Sequence, residues 1–189
     1  PDEIAWREKV LDAGYAVPTY PAEWFGRGYP SKLAAVIHQE FRAVKATGAC
    51  QDKHNIPANT LFAFGSDELK HELLRDFLTG AARTCLLYSE PGAGSDLAAV
   101  RTTAVRDGDH WVLNGEKRWC GNAINSHFIQ LLCRERDAQH DLLHRTLRLF
   151  LGRSGSWRGV TSLDDAARDR VAILVQSHGD GGQGEGELL

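Results

Sequence analysis

Residues 84–96 read TCLLYSEPGAGSD, and the fold turns on this stretch. Thr84–Ser89 is a short apolar run, and here the repeat of apolar residues changes from about 3.6 to about 2. A proline, two glycines, a serine and an acid follow. Glycine lets backbone N–H groups come close to an anion, so the loop suits a phosphate, or a flat ring lying on the strand before it. The same letters also fit a tight turn. Three sharper motifs fail: Leu97 stands where a dinucleotide loop needs its third glycine, no Gly-Lys-Ser/Thr follows, and Ser95 is not framed as G-x-S-x-G.

Upstream the chain reads as helical. Residues 2–13 run from an Asp2 cap to a stop at Gly14, with Trp6 and Val10 on one face. The segment YAVPTYPAEWFGRGYP (15–30) reads as an irregular loop pinned by its rings. Ser31 is placed to cap a helix ending at Gly48, whose stripe is Leu33, Ile37, Phe41 and Val44. A further helix is expected over 66–79, with Ser66 as cap, Asp67 and Glu68 in its first turn and Gly80 behind it.

Downstream the texture is β. VRTTAVR (100–106) alternates, Asp107-Gly108 reads as a hairpin turn before HWVL (110–113), and Asn114-Gly115 reads as a second turn. EKRWC (116–120), HFIQLLC (127–133) and TLRLFL (146–151) continue as strands. Residues 162–175 read as a capped helix and the glycine-rich 179–189 as having no way to form a core. The expected class is α+β: an all-helical domain over 1–83, a small β-barrel domain over 84–151 and an irregular or aberrant tail over 152–189.

Composition narrows the function. The 189 residues are 42% hydrophobic and 25% charged, with a formal charge of −3 and no basic stripe, which points away from nucleic acid. Cys50, Cys85, Cys120 and Cys133 show no zinc spacing and read as reduced and buried. No apolar run of about 18 residues and no leader is visible, so a cytoplasmic protein with a small-molecule partner is expected. The absence of methionine, even at position 1, points to processing or a fragment. His140 and His144 have helical i,i+4 spacing but no third ligand, and read as solvated rather than metal-binding.

The stretch LLYSEPGAGSDLAAVRTTAVRDGDHWVLNGEKRWCGNA (86–123) resembles the flavin loop and following hairpins of the acyl-CoA dehydrogenases, whose pattern runs [ST]-E-P-x-A-G-S-D, a D-G turn, then N-G-x-K-x-W. GYAVPTYPAEWFGRG and TLFAFGSDELKHELLRDFLTG resemble upstream segments of that family, so the likeness covers about residues 6–150.

The resemblance implies bound FAD and an acyl-CoA thioester substrate. It places Leu86, Tyr88, Ser89, Gly94 and Ser95 along the cofactor, with the Ser89 hydroxyl on the flavin and Ser95 near the phosphates and the passing CoA. Trp119 would lie against the flavin ring, with Cys120 and Gly121 behind it. The family's W-[IT]-[ST] is here Trp119-Cys120-Gly121, so a hydroxyl is missing and a Gly121 N–H is what remains near flavin N5. Apart from the family, Trp119 reads as a core aromatic, while Tyr88 reads as packing and Glu90 as holding the loop by hydrogen bonds.

Family members desaturate the thioester: a carboxylate takes the α-proton and the β-hydride passes to the flavin. That base belongs to a C-terminal helical bundle which residues 152–189 do not resemble, so no catalytic residue is assigned and the chain is expected to be inactive alone. A homo- or hetero-oligomer supplying the bundle and an electron-transfer flavoprotein as acceptor are implied partners. The alternatives are a non-catalytic flavin- or thioester-binding subunit, and a related flavin oxidase or monooxygenase.

Overall fold

The computed structural model describes residues 2–108, 110–121, 123–136, 147–153 and 170–176. The chain divides into two units, Pro1–Ala82 and Arg83–Leu189.

The first unit has four α-helices: α1 (Glu3–Asp12), α2 (Ser31–Ala43), α3 (Ile56–Phe64) and α4 (Asp67–Thr79). Their ends follow local chemistry. Asp2 accepts the Ile4 N–H at 3.0 Å, Ser66 accepts the Leu69 N–H at 3.4 Å, and Gly80 closes α4 in the left-handed conformation. Leu11, Leu61, Leu74 and Leu78 form the fully buried interior. The 15–30 segment is pinned by rings as its sequence requires: Tyr20 stacks on Phe62 with centroids 3.8 Å apart, and Trp24 lies 4.7 Å from His71.

Three features of this unit differ from the sequence reading. Ser31 is the first residue of α2 and makes no capping bond, with Pro30 in the cap position. α2 ends at Ala43, and its buried position is Ala34, while Leu33 and Val44 are exposed. The small residue faces inward because the chain passes close by, with the Cys50 thiol donating to the Ala34 carbonyl at 3.3 Å. α3 was not foreseen; Asn55 caps it by accepting the Ala58 N–H at 3.1 Å, and Pro57 stands in its first turn.

The second unit is a curled mixed sheet, a half-barrel, of β1 (Thr84–Leu87), β2 (Thr103–Asp107), β3 (His110–Arg118), β4 (Phe128–Glu135), β5 (Leu147–Arg153) and β6 (Arg170–Gln176). The order is β1-β4-β2-β3-β6, with β5 on the other side of β4. β1 and β2 run parallel to β4 in succession, Thr84–Leu87 against Phe128–Leu131 and Thr103–Ala104 against Arg134–Glu135; the other pairs are antiparallel. Cys85, Leu87, Trp111, Leu113, Leu131, Cys133 and Phe150 form the core, with Trp111 edge-on to Phe150 at 5.4 Å. Helices followed by this sheet give the α+β class expected from sequence.

The Asp107-Gly108 turn stands where it was expected, with Gly108 at φ 59°. Asn114-Gly115 is not a turn: β3 runs through it unbroken and absorbs the segment expected to be a separate strand from 116. A Cβ on Gly115 would lie 2.3 Å from Thr102 Oγ1 and 2.6 Å from Thr102 Cα, so this glycine serves close approach of a neighbouring segment. Residues 170–176 form a strand paired with β3 where a helix had been read; Val171, Ile173 and Val175 give the segment β-branched character at alternate positions. His140, His144, the start of that expected helix and the glycine-rich end lie outside the described residues.

Candidate functional site

β1 ends at Leu87, and the chain enters the glycine loop beside the end of β3. The Arg118 N–H donates to the Ser89 carbonyl at 2.9 Å, which sets Trp119 next to the loop. Two segments 30 residues apart in number, Ser89 and Trp119, thus meet as one surface. Trp119 adopts φ 56° and is 64% exposed. A left-handed tryptophan turned to solvent does not fill a core, so the core reading of this residue fails.

Behind that surface lies a buried polar cluster centred on Glu90, which is 5% exposed. Its carboxylate accepts from the Arg101 N–H (2.7 Å), the Thr102 N–H (2.9 Å), the Thr102 hydroxyl (2.5 Å) and Lys117 Nζ (2.8 Å). Lys117 is fully buried and also donates to the Tyr88 carbonyl at 3.1 Å. Burial alone would push the Glu90 carboxyl up, but the bonds from Lys117, Thr102 and the two amides outweigh it and hold it below its ordinary value. The carboxylate therefore stays ionised and closes residues 90–102 into a loop, the role expected of it.

The loop is ordered at both ends. Glu90 and Ala93 exchange backbone hydrogen bonds at 2.7 and 3.1 Å across Pro91-Gly92, and Arg134 donates to the carbonyls of Ala98 (2.5 Å) and Val100 (3.1 Å). Between these ties Gly92, Gly94, Ser95 and Asp96 are exposed. A Cβ on Gly92, Gly94 or Gly121 would meet nothing within 4 Å, so the space before them is open. Among the described residues no backbone acceptor meets the amides of Gly92, Gly94 or Ser95.

The other sequence-nominated residues take distinct places. Leu86 is half-buried in β1, opposite Gln130. Tyr88 is half-buried and its hydroxyl donates to Gln130 Oε1 at 3.1 Å. Ser89 is half-buried. Cys120 turns its side chain into the core with Cys85 and Cys133, while the Gly121 N–H donates to the Trp119 carbonyl at 3.0 Å. Burial pushes the Cys85 thiol up, and the Cys133 thiol up to about 12, so neither forms a thiolate nucleophile near neutral pH. Among the described residues there is no cluster of three metal-ligating side chains, and no helix is long and apolar enough to cross a membrane.

Sequence reading left Lys117, Thr102 and Arg134 without roles. The signal for Lys117 was present: alternation along β3 puts it on the face of Trp111 and Leu113, and a lysine on a buried face calls for a buried anion.

A flat ring with a pyrophosphate tail fits this donor set. Open glycine amides and the exposed Ser95 hydroxyl suit the anionic part, and the exposed Trp119 indole suits the ring.

Comparison with known proteins agrees with the two-part chain. Residues 1–81 match the N-terminal domain of acyl-CoA dehydrogenases and residues 85–169 their middle domain. Acyl-CoA dehydrogenase IpdE1 of Mycobacterium tuberculosis is 36% identical over 135 residues, 69% of this chain and 34% of that protein. Acyl-CoA dehydrogenase FadE29 of the same organism is 39% identical over 116 residues, 61% of this chain and 30% of that protein. The structure of the ChsE4-ChsE5 complex from M. tuberculosis superposes with a TM-score of 0.66 at 27% identity, covering 92% of this chain and 47% of that one. The chain spans about a third of the length of these curated relatives.

Proposed function

The chain belongs to the acyl-CoA dehydrogenase family, whose N-terminal and middle portions it carries, and from that premise we propose that it forms one wall of an FAD site for α,β-desaturation of an acyl-CoA thioester. The observation that supports this best is the Arg118 to Ser89 backbone bond, which puts an exposed Trp119 beside an open loop of donors.

Bound FAD supplies the two-electron acceptor for the hydride. This chain's residues bind and orient. Leu86 in β1 and Tyr88 and Ser89 just beyond it would lie along the ring, Trp119 would cover it, and Gly94 and Ser95 would hold the phosphates, Ser95 also serving the CoA portion. Cys120 and Gly121 contribute backbone geometry only, since the thiol is buried and the Gly121 N–H is bonded to Trp119.

The proton-abstracting carboxylate is not Glu90. Glu90 is buried and already accepts four hydrogen bonds, so it cannot reach a substrate carbon. In this reading residues 1–189 bind the cofactor, and a partner surface of the same or another chain completes the site, with electron-transfer flavoprotein as acceptor. Leu33, Val36, Val44, Ile56 and Phe64, all exposed on the helical unit, favour a partner that covers apolar surface. That observation equally favours the second reading, a non-catalytic subunit of a heteromeric assembly.

Titrating the chain with FAD while following flavin fluorescence and absorption tests the binding claim. Saturable quenching that Trp119→Ala and Ser95→Ala each weaken is expected. No quenching at any FAD concentration overturns it.

A further inference from the structure

Lys117 has no contact with solvent, yet it reaches the back of the loop that faces the proposed cofactor. Its ammonium donates to Glu90 Oε1 at 2.8 Å and to the Tyr88 carbonyl at 3.1 Å. A buried ammonium is costly unless neutralised, and Glu90, held in its ionised form by Thr102 and two amides, neutralises it. Gly115 completes the arrangement by admitting Thr102 against β3.

The consequence lies in the peptide plane. A trans peptide points its C=O and N–H in opposite directions. Because the Tyr88 carbonyl is turned inward onto a fully buried Nζ, the N–H of Ser89 is turned the other way, away from the Lys117 ammonium. The next plane is fixed too, since the Ser89 carbonyl accepts from Arg118.

We propose that Lys117, paired with Glu90, is a positioning residue for the cofactor: it fixes the Tyr88–Ser89 peptide plane and thereby aims the Ser89 amide at the flavin edge. This rests on the FAD reading above and adds a residue that touches no ligand. Without the ammonium the carbonyl loses this donor and the plane loses one of its restraints. One hydrogen bond to the cofactor is then made or lost, an effect of about tenfold in affinity.

The test uses residues 1–189 with the double variant Lys117→Met/Glu90→Gln, which removes both charges together so that neither is left buried alone. Leu113→Ala is the control, since it weakens the same strand's core without touching the Tyr88 carbonyl. FAD affinity, the absorption spectrum of bound flavin, the thermal midpoint and hydrogen exchange of the Ser89–Asp96 amides are read in all three proteins. We expect the double variant to bind FAD about tenfold more weakly, with a shifted flavin spectrum and faster exchange at Ser89, and Leu113→Ala to lower the midpoint while leaving affinity and spectrum unchanged. Unchanged affinity and spectrum in the double variant overturn the proposal, as does equal weakening in Leu113→Ala. If the parent chain binds no FAD, the FAD reading is what fails. The positioning claim is then decided by Ser89 exchange, and unchanged exchange in the double variant overturns it.

Discussion

The side chain of Thr102 fills the space that any side chain at position 115 would need, since a Cβ on Gly115 would sit 2.3 Å from Thr102 Oγ1. The clash extends to the backbone, with Thr102 Cα at 2.6 Å, so shortening Thr102 cannot relieve it. Gly115→Ala is expected to destabilise the sheet unit by about 2–4 kcal/mol, the range of an overpacked core with displaced hydrogen bonds. The pair Gly115→Ala/Thr102→Ala should be no more stable. Urea unfolding followed by Trp111 fluorescence measures both, and restoration of stability in the pair would show the contact to be side-chain only.

The Glu90 carboxylate gives the sheet unit a defined acid sensitivity. Its folded pKa lies below the ordinary glutamate value, about 4.3 in an unfolded chain. The unfolded state therefore binds the proton first, and the stabilisation is fully present above that value and lost as pH falls through the folded pKa. Stability of the sheet unit should be flat from about pH 7 to pH 5 in this respect and decline below about 4.3. Glu90→Gln should be less stable at neutral pH but show a shallower acid slope. An equal slope in variant and parent would assign the acid loss to other carboxylates.

Two tryptophans on β3 and its end should behave oppositely. Trp111 is 6% exposed and meets Phe150, whereas Trp119 is 64% exposed. Trp111→Ala should cost about 3–5 kcal/mol. Trp119→Ala should change stability by less than about 0.5 kcal/mol, since alanine keeps the Cβ that makes a left-handed φ costly, while weakening FAD binding. Acrylamide should quench Trp119 emission readily, and FAD should protect it. A Trp119→Ala chain that unfolds at much lower denaturant would return this residue to a core role.

Local signals account for what the sequence made legible. Caps at Asp2 and Ser66, the stop at Gly80, the ring-pinned 15–30 segment and the Asp107-Gly108 turn all depend on residues a few positions apart, and each stands as its chemistry requires. The glycine loop and Trp119 were legible as separate motifs. Only the family resemblance brought them to one ring; the residues themselves did not, because the meeting is made by one backbone bond between Arg118 and Ser89. The failures share a cause. Gly115 looks like a turn residue until Thr102 is seen against it, Ala34 looks incidental beside Leu33 until the chain passes over it, and Lys117, which alternation along β3 puts on the buried face, has no anion to meet until Glu90 is placed. In each case the deciding neighbour is 13 to 27 residues away, and periodicity does not name it.

Residues 1–189 alone are expected to show no acyl-CoA desaturation. The reaction needs a carboxylate at the α-carbon while the flavin takes the hydride, and general-base catalysis by itself contributes about 10²–10⁴-fold. Of the acids in the described loop, Glu90 is buried under four donors, and its deprotonated form is committed to Lys117. Asp96 is exposed to water in the same loop. The measurement is reduction of an artificial electron acceptor by the purified chain with FAD and a medium-chain acyl-CoA, beside a complete relative. A rate at the no-enzyme background is expected, with FAD quenching still observed. Turnover near that of the relative would overturn the prediction, and its loss in Asp96→Asn but not in Glu90→Gln would identify Asp96 as the base.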